Sequence, residues 1–338
     1  MATAAPRASV IILGWNGRQY LDDALSSVFD QDFDGEYEVL YVDNGSGDGS
    51  VAYVAKKFPA ARIVALDQNY GYSEGNNIGF KESRGEFVVF LNQDVAVHRS
   101  WLRELVAAIE SAPDIGAAHA NVIQPWYPEF TGMAARAASP VAYTAELTQL
   151  GYATYKRLGQ RDHPVEVLFL HGVSIILRRD LGERLGYIFD REMFAYAEDM
   201  DLGFRVRALG YRCVMAPTAT VYHKHTLKTA LNWRTVKNTA RIIRNRYLAY
   251  YKVMSGPEFA VMAALVTVGA PLNAGEFGLG PVKRVIYGAG LVPITVLALG
   301  QAVANLGAYR KKRRRVRRSA VRRGWWCLRA TLFGVGPR

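Results

Sequence analysis

A chain of 338 residues, half of them apolar, is long enough for one large domain or a domain with an appendage, and its composition is neither disordered nor repetitive. Residues 310–338 carry twelve of the 42 Lys and Arg and no acid, so positions 1–309 balance at 30 basic and 30 acidic residues, and the net +12 is a property of the tail rather than a general nucleic-acid signal. Two cysteines, Cys213 and Cys327, exclude a disulfide framework and a Cys-based zinc site, which makes a reducing compartment the default.

After MATAAPRA the chain enters SVIIL, too short for the apolar core of a secretory leader, so a cytoplasmic location is expected. Strand and helix patterns then alternate. SVIIL precedes a helix over Tyr20–Phe29, YEVLYVD one over Ser50–Phe58, ARIVAL one over Ser73–Ser83, and EFVVFL one over Trp101–Ser111. Such a βα repeat predicts a Rossmann-like α/β fold with a mainly parallel sheet and flanking helices. Each strand runs into a polar or glycine-rich turn: GWNG, DNGSGDGS, DQNYGYSEGNN or NQD. Four turns at one sheet edge converge on a crevice, the expected place for a nucleotide.

Residues 112–165 are less regular and are expected to form a strand or two and a substrate-facing loop region. VLFLHGVSIILRRD, residues 167–180, reads as a strand or strand pair broken at His171 and Gly172. In AYAEDMDLGFRVRALGYR, residues 195–212, the spacing of Leu202, Val206 and Leu209 predicts a helix that stops at Gly210 and carries Glu198, Asp199 and Asp201 on its first turn. Acids there also suit the helix macrodipole, and Asp201 can pair with Arg205. YRCVMAPTATVYHKH predicts short strands ending near His223. RIIRNRYLAYYK, residues 241–252, offers cations either to acceptor phosphates or headgroups or to a simple wet helix face.

Beyond residue 250 come two apolar runs, FAVMAALVTVGAP with 13 uncharged residues and a run of 25 from Val285 to Tyr309, the second long enough to span a bilayer. RKKRRRVRR follows. Gly288, Gly290, Pro293 and Gly300 leave a buried soluble helix open as well; otherwise, with a cytoplasmic body and a cytoplasmic tail, the runs form either a helical hairpin or an interfacial pair, and Trp325 and Trp326 suit a headgroup-level anchor. The chain thus divides into a catalytic domain at 1–250, an apolar membrane-associating region at 251–309 and a basic, Trp-containing cytoplasmic tail at 310–338.

DNGSGDGS fails as a calcium loop because Val54 stands at its twelfth position. Placed between strand and helix it suits nucleotide contact, with Asp43 able to accept from a pyrimidine N3 proton. NYGYSEGNNIG supplies Gly71, Gly75 and Gly79, which let backbone approach a ligand, and the amides of Asn69, Asn76 and Asn77.

The ordered set VIILGWNG, VDNGSGDGS, NYGYSEGNNIGF, VFLNQD, FLHGVSIILRRD, AEDMDLGFRVRALGY and VYHKH resembles the family 2 glycosyltransferases of the GT-A fold, and more closely their bacterial rhamnosyltransferase-like branch, over roughly residues 8–250. The resemblance implies that Asp43 contacts a uracil or thymine base and that Asn92-Gln93-Asp94 holds a divalent metal on the donor diphosphate. Many members carry aspartate where this chain has Asn92, which leaves Asp94 as the one charged ligand. His223 matches a histidine that completes the metal site in some members, and His225 is a weaker metal candidate. Glu198 and Asp199 match a Glu-Asp pair whose aspartate is the general base. Asn16, Asp43, Asn44, Asn69, Gly71, Asn77, Asn92, Gln93, Asp94, His171 and Gly172 are the implied donor contacts, and Asp94 with His223 the implied metal ligands.

Transfer of a sugar to a hydroxyl needs a base for the acceptor proton and a cation for the departing diphosphate, and an oxygen-rich site suits Mg or Mn. The resemblance therefore implies an inverting, metal-dependent glycosyltransferase. Its donor would be dTDP-rhamnose or a UDP-sugar and its acceptor a lipid-linked or cell-envelope glycan, at the cytoplasmic face of the inner or plasma membrane with no nucleic-acid partner. A processive polysaccharide synthase is the nearest rival, but the Gln-x-x-Arg-Trp motif of such enzymes is missing from this sequence. A basic-tailed nucleic-acid or nucleotide binder without transferase activity is the alternative of a different class.

Overall fold

The computed structural model describes residues 5–133, 137–224, 233–269, 281–322 and 325–333. Four parallel strands form one half of the main sheet: β1 (Ala8–Gly14), β2 (Tyr37–Asp43), β3 (Arg62–Ala65) and β4 (Phe87–Asn92), in the order β3-β2-β1-β4. All seven residues of β1 are buried, as expected of a strand covered on both faces, with Val10 and Ile12 packing into one core and Ile11 and Leu13 into the other. The register pairs Gly14 with Asp43 and Leu13 with Asn92. Three strands therefore end level, and GWNG, DNGSG and NQD emerge side by side.

The flanking helices α1 (Leu21–Phe29), α2 (Ser50–Lys57), α3 (Gly71–Glu82) and α4 (Trp101–Glu110) lie where the periodicity places them. α3 begins two residues before the expected Ser73, because Gly71 adopts a φ of +80° and the Phe194 carbonyl accepts from the Ser73 N–H at 3.1 Å.

The other half of the sheet is mixed. β10 (Ser174–Arg178) lies antiparallel between β4 and β6 (Ile115–Ile123), β6 runs parallel to β11 (Arg212–His223), and β5 (Val95–Val97) and β9 (Val165–Val167) pair antiparallel with β11. The short strands expected after Tyr211 are one twelve-residue strand whose register shifts between Ala216 and Thr220. Pro217 has no N–H for the ladder, so the strand bulges there instead of ending. A separate hairpin, β7 (Ala142–Leu147) with β8 (Ala153–Gly159), accounts for much of the irregular segment. α5 (Arg179–Leu185) follows β10, and α6 (Glu198–Ala208) carries the three acids on its first turn.

The C-terminal helices are α7 (Trp233–Val253), α8 (Gly256–Gly269), α9 (Pro281–Ser319) and α10 (Trp326–Phe333). α9 is a single 39-residue helix that contains both the long apolar run and the basic cluster. Leu291, Ala298, Ala302 and Tyr309 are buried in a core shared with Ile243, Tyr247 and Tyr250 of α7. Val292, Val296, Leu297 and Val303 face outward, exposed. Gly290–Ser319 is, among the described residues, the one helix long and apolar enough to cross a membrane by length and composition.

A buried ionic cluster fastens these helices to the body. The Lys252 ammonium, inaccessible to solvent, lies 2.8 Å from Asp190 Oδ2 and 2.6 Å from Asp201 Oδ1. Arg205 Nε donates to Asp201 Oδ2 at 2.8 Å, and its guanidinium also donates to the carbonyls of Tyr187 and Ile188. From α9, Lys312 reaches Asp190 Oδ1 at 2.5 Å and Glu192 at 3.0 Å. Burial opposes the charge of Asp190, but the ammonium groups of Lys252 and Lys312 outweigh it and hold the carboxyl well below the ordinary aspartate range.

Lys252→Met, which leaves Asp190 and Asp201 buried without their shared cation, is expected to cost roughly 3–5 kcal/mol in chemical denaturation. A carboxyl depressed in the folded state adds stability above its unfolded pKa of about 3.9. The Asp190 contribution is therefore intact at neutral pH and is lost as pH falls below about 4, which unfolding curves taken between pH 7 and pH 3 will read.

Candidate active site

At the level ends of β1 and β2, side chains stitch the loops together. Asn16, in the left-handed region at φ 47°, donates from its N–H to Ser46 Oγ at 3.0 Å and accepts from the Gly47 N–H at 2.9 Å. Asp43 is buried at the end of β2, where Oδ2 accepts from the Ser46 N–H at 2.9 Å and Oδ1 from the Tyr41 hydroxyl at 3.2 Å. Burial and the nearby Asp43 charge push the Tyr41 hydroxyl far above its ordinary range, so it stays a donor. The amide of Asn44 is committed inside the protein, donating to Asn69 Oδ1 and the Gly71 carbonyl at 3.1 Å each and accepting from the Tyr70 N–H. Asn69 accepts in addition from the Gly71 N–H at 2.8 Å. Gln93 pairs both ends of its amide with the backbone of Trp15 at 3.1 Å. Asn44, Asn69 and Gln93 thus fix the cleft walls, while Asp43 and Asn16 sit where those walls meet.

At the next strand end, the Asn92 N–H donates to the Val173 carbonyl at 3.0 Å, which draws the start of β10 alongside NQD. His223 pairs in register with Val95, the residue after Asp94. That register brings His223 Nε2 to 3.3 Å from Asp94 Oδ1. One carboxylate oxygen and one imidazole nitrogen at this spacing fit a hard divalent cation that takes its other ligands from water and phosphate. Among the described residues no third His, Cys, Asp or Glu joins them. His225 lies outside the described residues.

α6 opens beside this edge. The Gly172 N–H donates to Asp199 Oδ2 at 2.8 Å and the Met200 N–H to Asp199 Oδ1 at 2.7 Å. Gly172 is tight against this carboxylate, an added Cβ falling 3.0 Å from Oδ2. Burial raises the Asp199 carboxyl above its ordinary range, opposed by those two N–H groups and by the positive charge of Arg246. Glu198 is pushed much higher by its burial and by the charges of Asp199 and Asp201. The two acids therefore differ: Asp199 is held as a hydrogen-bond acceptor, and Glu198 is favoured in its protonated form.

The chain enters α6 through a strained loop, with Phe194, Tyr196 and Ala197 at φ 64°, 75° and 61°. Each left-handed non-glycine residue costs about 1–2 kcal/mol, so something must hold the loop. Asn245 of α7 does this, donating to the carbonyls of Met193, Ala195 and Tyr196 at 3.0, 3.1 and 2.8 Å. Asn77 clamps the preceding turn by exchanging hydrogen bonds with the Phe189 N–H and carbonyl at 2.9 and 2.8 Å. Gly71 sits so close to the Phe194 carbonyl and ring that any Cβ would overlap them. The Tyr72 hydroxyl donates to the Gly172 carbonyl at 2.7 Å. Sequence reasoning did not single out Tyr72 or Asn245, although the NYGYSEGNN and RIIRNRY stretches that contain them were the available signals, and Arg246 was read only as one of the cations of residues 241–252.

On the remaining side, His171 Nε2 lies 3.1 Å from the Tyr155 hydroxyl of the hairpin, whose ring is half exposed. His119 stands behind His171 at 6.2 Å between ring centroids, and burial pushes it down to about 4, so it is neutral. The Arg246 guanidinium lies over the Tyr152 ring at 5.2 Å. Asp199 thus feels the charge of Arg246, and its partner Gly172 adjoins His171 and, through it, the Tyr155 hydroxyl.

The family model described as Glycosyl transferase family 2 matches residues 9–186, just over half of the chain. The match contains Asp43, Asp94, His171 and Gly172 and ends before Glu198, Asp199 and His223. Among curated relatives, the chain is 28% identical over 240 residues to the O-antigen biosynthesis protein RfbC of Myxococcus xanthus, covering 67% of this chain and 18% of that protein. It is 28% identical over 204 residues to the N-acetylglucosaminyl-diphospho-decaprenol L-rhamnosyltransferase of Mycobacterium tuberculosis, covering 55% and 66%. The chain spans a quarter or less of the length of RfbC and of a Sinorhizobium fredii protein that it also matches. Among solved structures, the mannosyltransferase PcManGT from Pyrobaculum calidifontis in complex with GDP-Man and Mn2+ superposes with a TM-score of 0.55 at 19% identity, covering 98% of this chain and 88% of that one. At that identity the likeness speaks for the GT-A fold.

Asn245→Ala leaves three loop carbonyls without their donor and is expected to lower stability by roughly 1–3 kcal/mol. Turnover should fall more than nucleotide affinity, since the loop positions Asp199 rather than the walls around Asp43. Denaturation curves and paired kcat and KM measurements check both, and unchanged turnover would contradict the clamp.

Proposed function

The chain belongs to glycosyl transferase family 2, and from that premise we propose that it moves a sugar with inversion from a nucleoside diphosphate to a hydroxyl of a lipid-linked or cell-envelope glycan. The observation that carries this reading is the Asp199 carboxylate, oriented by the N–H groups of Gly172 and Met200 on the same sheet edge as Asp94 and His223. Asp43 receives the base of the nucleotide, and Asn16 and the loop backbone at Gly45 and Gly71 line its path. Asp94 and His223 would hold a divalent cation, Mn2+ or Mg2+, which when bound offsets charge on the leaving diphosphate.

In the transfer step, Asp199 accepts the proton of the acceptor hydroxyl as that oxygen bonds to the anomeric carbon, and the carbon–oxygen bond to the diphosphate breaks on the opposite face. A single displacement inverts the centre. Burial and the charges of Asp199 and Asp201 raise the Glu198 carboxyl beside the base, which disfavours a second charge next to Asp199. Arg246, Tyr152, Tyr155 and His171 form the acceptor side, where rings suit a sugar face and the guanidinium an acceptor phosphate. dTDP-rhamnose is the favoured donor, with UDP-sugars next, supported by the branch the motifs resemble and by the name of the Mycobacterium tuberculosis relative.

The reading places the enzyme at the cytoplasmic face of a membrane, with residues 251–309 as the membrane-associating region and 310–338 as the basic tail. α9 lies along the interface, its outward valines toward the acyl layer. Its other face is committed to α7, and a bilayer-crossing α9 would carry the polar groups of α7 toward hydrocarbon.

Asp199→Asn is expected to lower kcat by about 10²–10⁴-fold while UDP or dTDP still raises the melting temperature, and full transfer activity in the variant would sink the base assignment. Because Asp199 must be ionised and burial raises its carboxyl above 3.8, the acid limb of the kcat/KM profile is expected above that pH, with activity rising through it. Asp94→Ala combined with His223→Ala should remove the Mn2+-dependent part of nucleotide stabilisation. For a ligand at a hundred times its Kd, total stabilisation is about 2.7 kcal/mol, large enough to read by thermal denaturation.

A further inference from the structure

The basic stretch of α9 divides its charges between two faces. On one, Lys312 is paired with Asp190 and Glu192, and the Arg315 guanidinium packs against Gly186. On the other, Arg310, Arg313, Arg314, Arg317 and Arg318 fall at i, i+3, i+4, i+7 and i+8 and line, with Arg322, a cavity of about 800 Å³. Arg313 donates to the Met254 carbonyl at 2.8 Å and lies over the Tyr251 ring. Arg310, Arg314, Arg317 and Arg318 have no ion pair among the described residues. Glu258 is the one acid among the lining residues, and its Oε2 accepts from the Ser255 N–H at 2.8 Å. Like charges one turn apart repel, so an arginine face of this kind is completed by an anion.

The cavity is separate from the catalytic cleft. The Val321 and Arg322 N–H groups donate to the Ala208 carbonyl at the C-terminal end of α6, about 14 Å along that helix from Asp199. Its surroundings identify the anion's source. The outward valines of α9 end at Val303, one to two turns before Arg310, and Trp325 and Trp326 close the cavity's rim. Val303 and Arg310, seven residues apart, share the outward face of α9, so a helix lying in the interface with its valines toward the acyl layer brings the arginine cavity and its tryptophans to phosphate and headgroup level.

We propose that this cavity is a binding site for the phosphate of an anionic lipid headgroup, a specific seat that deepens, and rests on, the membrane reading given above. Guanidinium pairs grip the phosphate oxygens, and the tryptophans pack at headgroup level.

The test uses the full chain in flotation with phosphatidylcholine vesicles and with vesicles that also contain phosphatidylglycerol. Arg314→Gln with Arg317→Gln empties the cavity of two charges, and Lys311→Gln with Arg329→Gln removes the same charge from exposed positions outside it. The wild type is expected to prefer the anionic vesicles by about tenfold or more, the cavity pair to lose most of that preference, and the control pair to keep most of it. Neutral-vesicle binding and nucleotide stabilisation should be the same in all three. Equal losses in the two pairs would overturn the cavity and leave the membrane reading standing. A wild type that floats with neither vesicle overturns the membrane reading and the inference with it. Inorganic pyrophosphate separates the sources: stabilisation of the wild type through Arg314 and Arg317, with no effect of these residues on vesicle preference, assigns the cavity to a soluble phosphate and overturns the lipid.

Discussion

One lysine without solvent access holds two aspartates of different segments, and the geometry of the site depends on that contact. Lys252 of α7 joins Asp190, in the turn that leads to the strained loop, to Asp201, two residues beyond Asp199. Removed from water, the three charges are stable only in mutual contact, so α7, α6 and the loop have one relative arrangement. The Asn245 clamp, three left-handed residues and the orientation of Asp199 follow from it.

Three carboxylates within four residues of α6 are given different characters by their surroundings. Asp201 is saturated by Arg205 and Lys252, Asp199 is oriented by two backbone N–H groups and partly open, and Glu198 is buried beside its neighbour's charge. The same residue type is thus locked in an ionic cluster at one position and left partly open to the cleft at another, separated by about half a helical turn.

Elements whose register follows a short local pattern were legible in the sequence. β1, β2 and β4 are unbroken apolar runs, and their helices show period and stop signals. β6 was legible only as one of the strand or two expected in residues 112–165: IGAAHANVI mixes small and polar residues, and its pairing partners β10 and β11 lie far along the chain, so its bounds and register were not. The side-chain amides show a similar limit. Asn44, Asn69, Asn77 and Gln93 read as ligand contacts because an amide in a glycine-rich turn looks the same whether its partner is a nucleotide or another part of the protein, up to 112 residues away. Asp94 and His223 were legible as individual residues, whereas their meeting depends on the β5–β11 register. In the tail, counting gave the total charge but not its division into a paired face and a cavity face, which exists only because α9 continues unbroken past Tyr309.

That continuity has a practical consequence for handling the protein. Membrane-binding segments are commonly removed to obtain a soluble enzyme, and here a cut before residue 281 would strip the cover from Ile243 and Tyr247 and take the second cation from Asp190. α9 is a wall of the catalytic body whose outer surface happens to be greasy. A soluble version is better sought by recolouring that surface, exchanging Val292, Val296, Leu297 and Val303 for polar helix formers, than by shortening the chain.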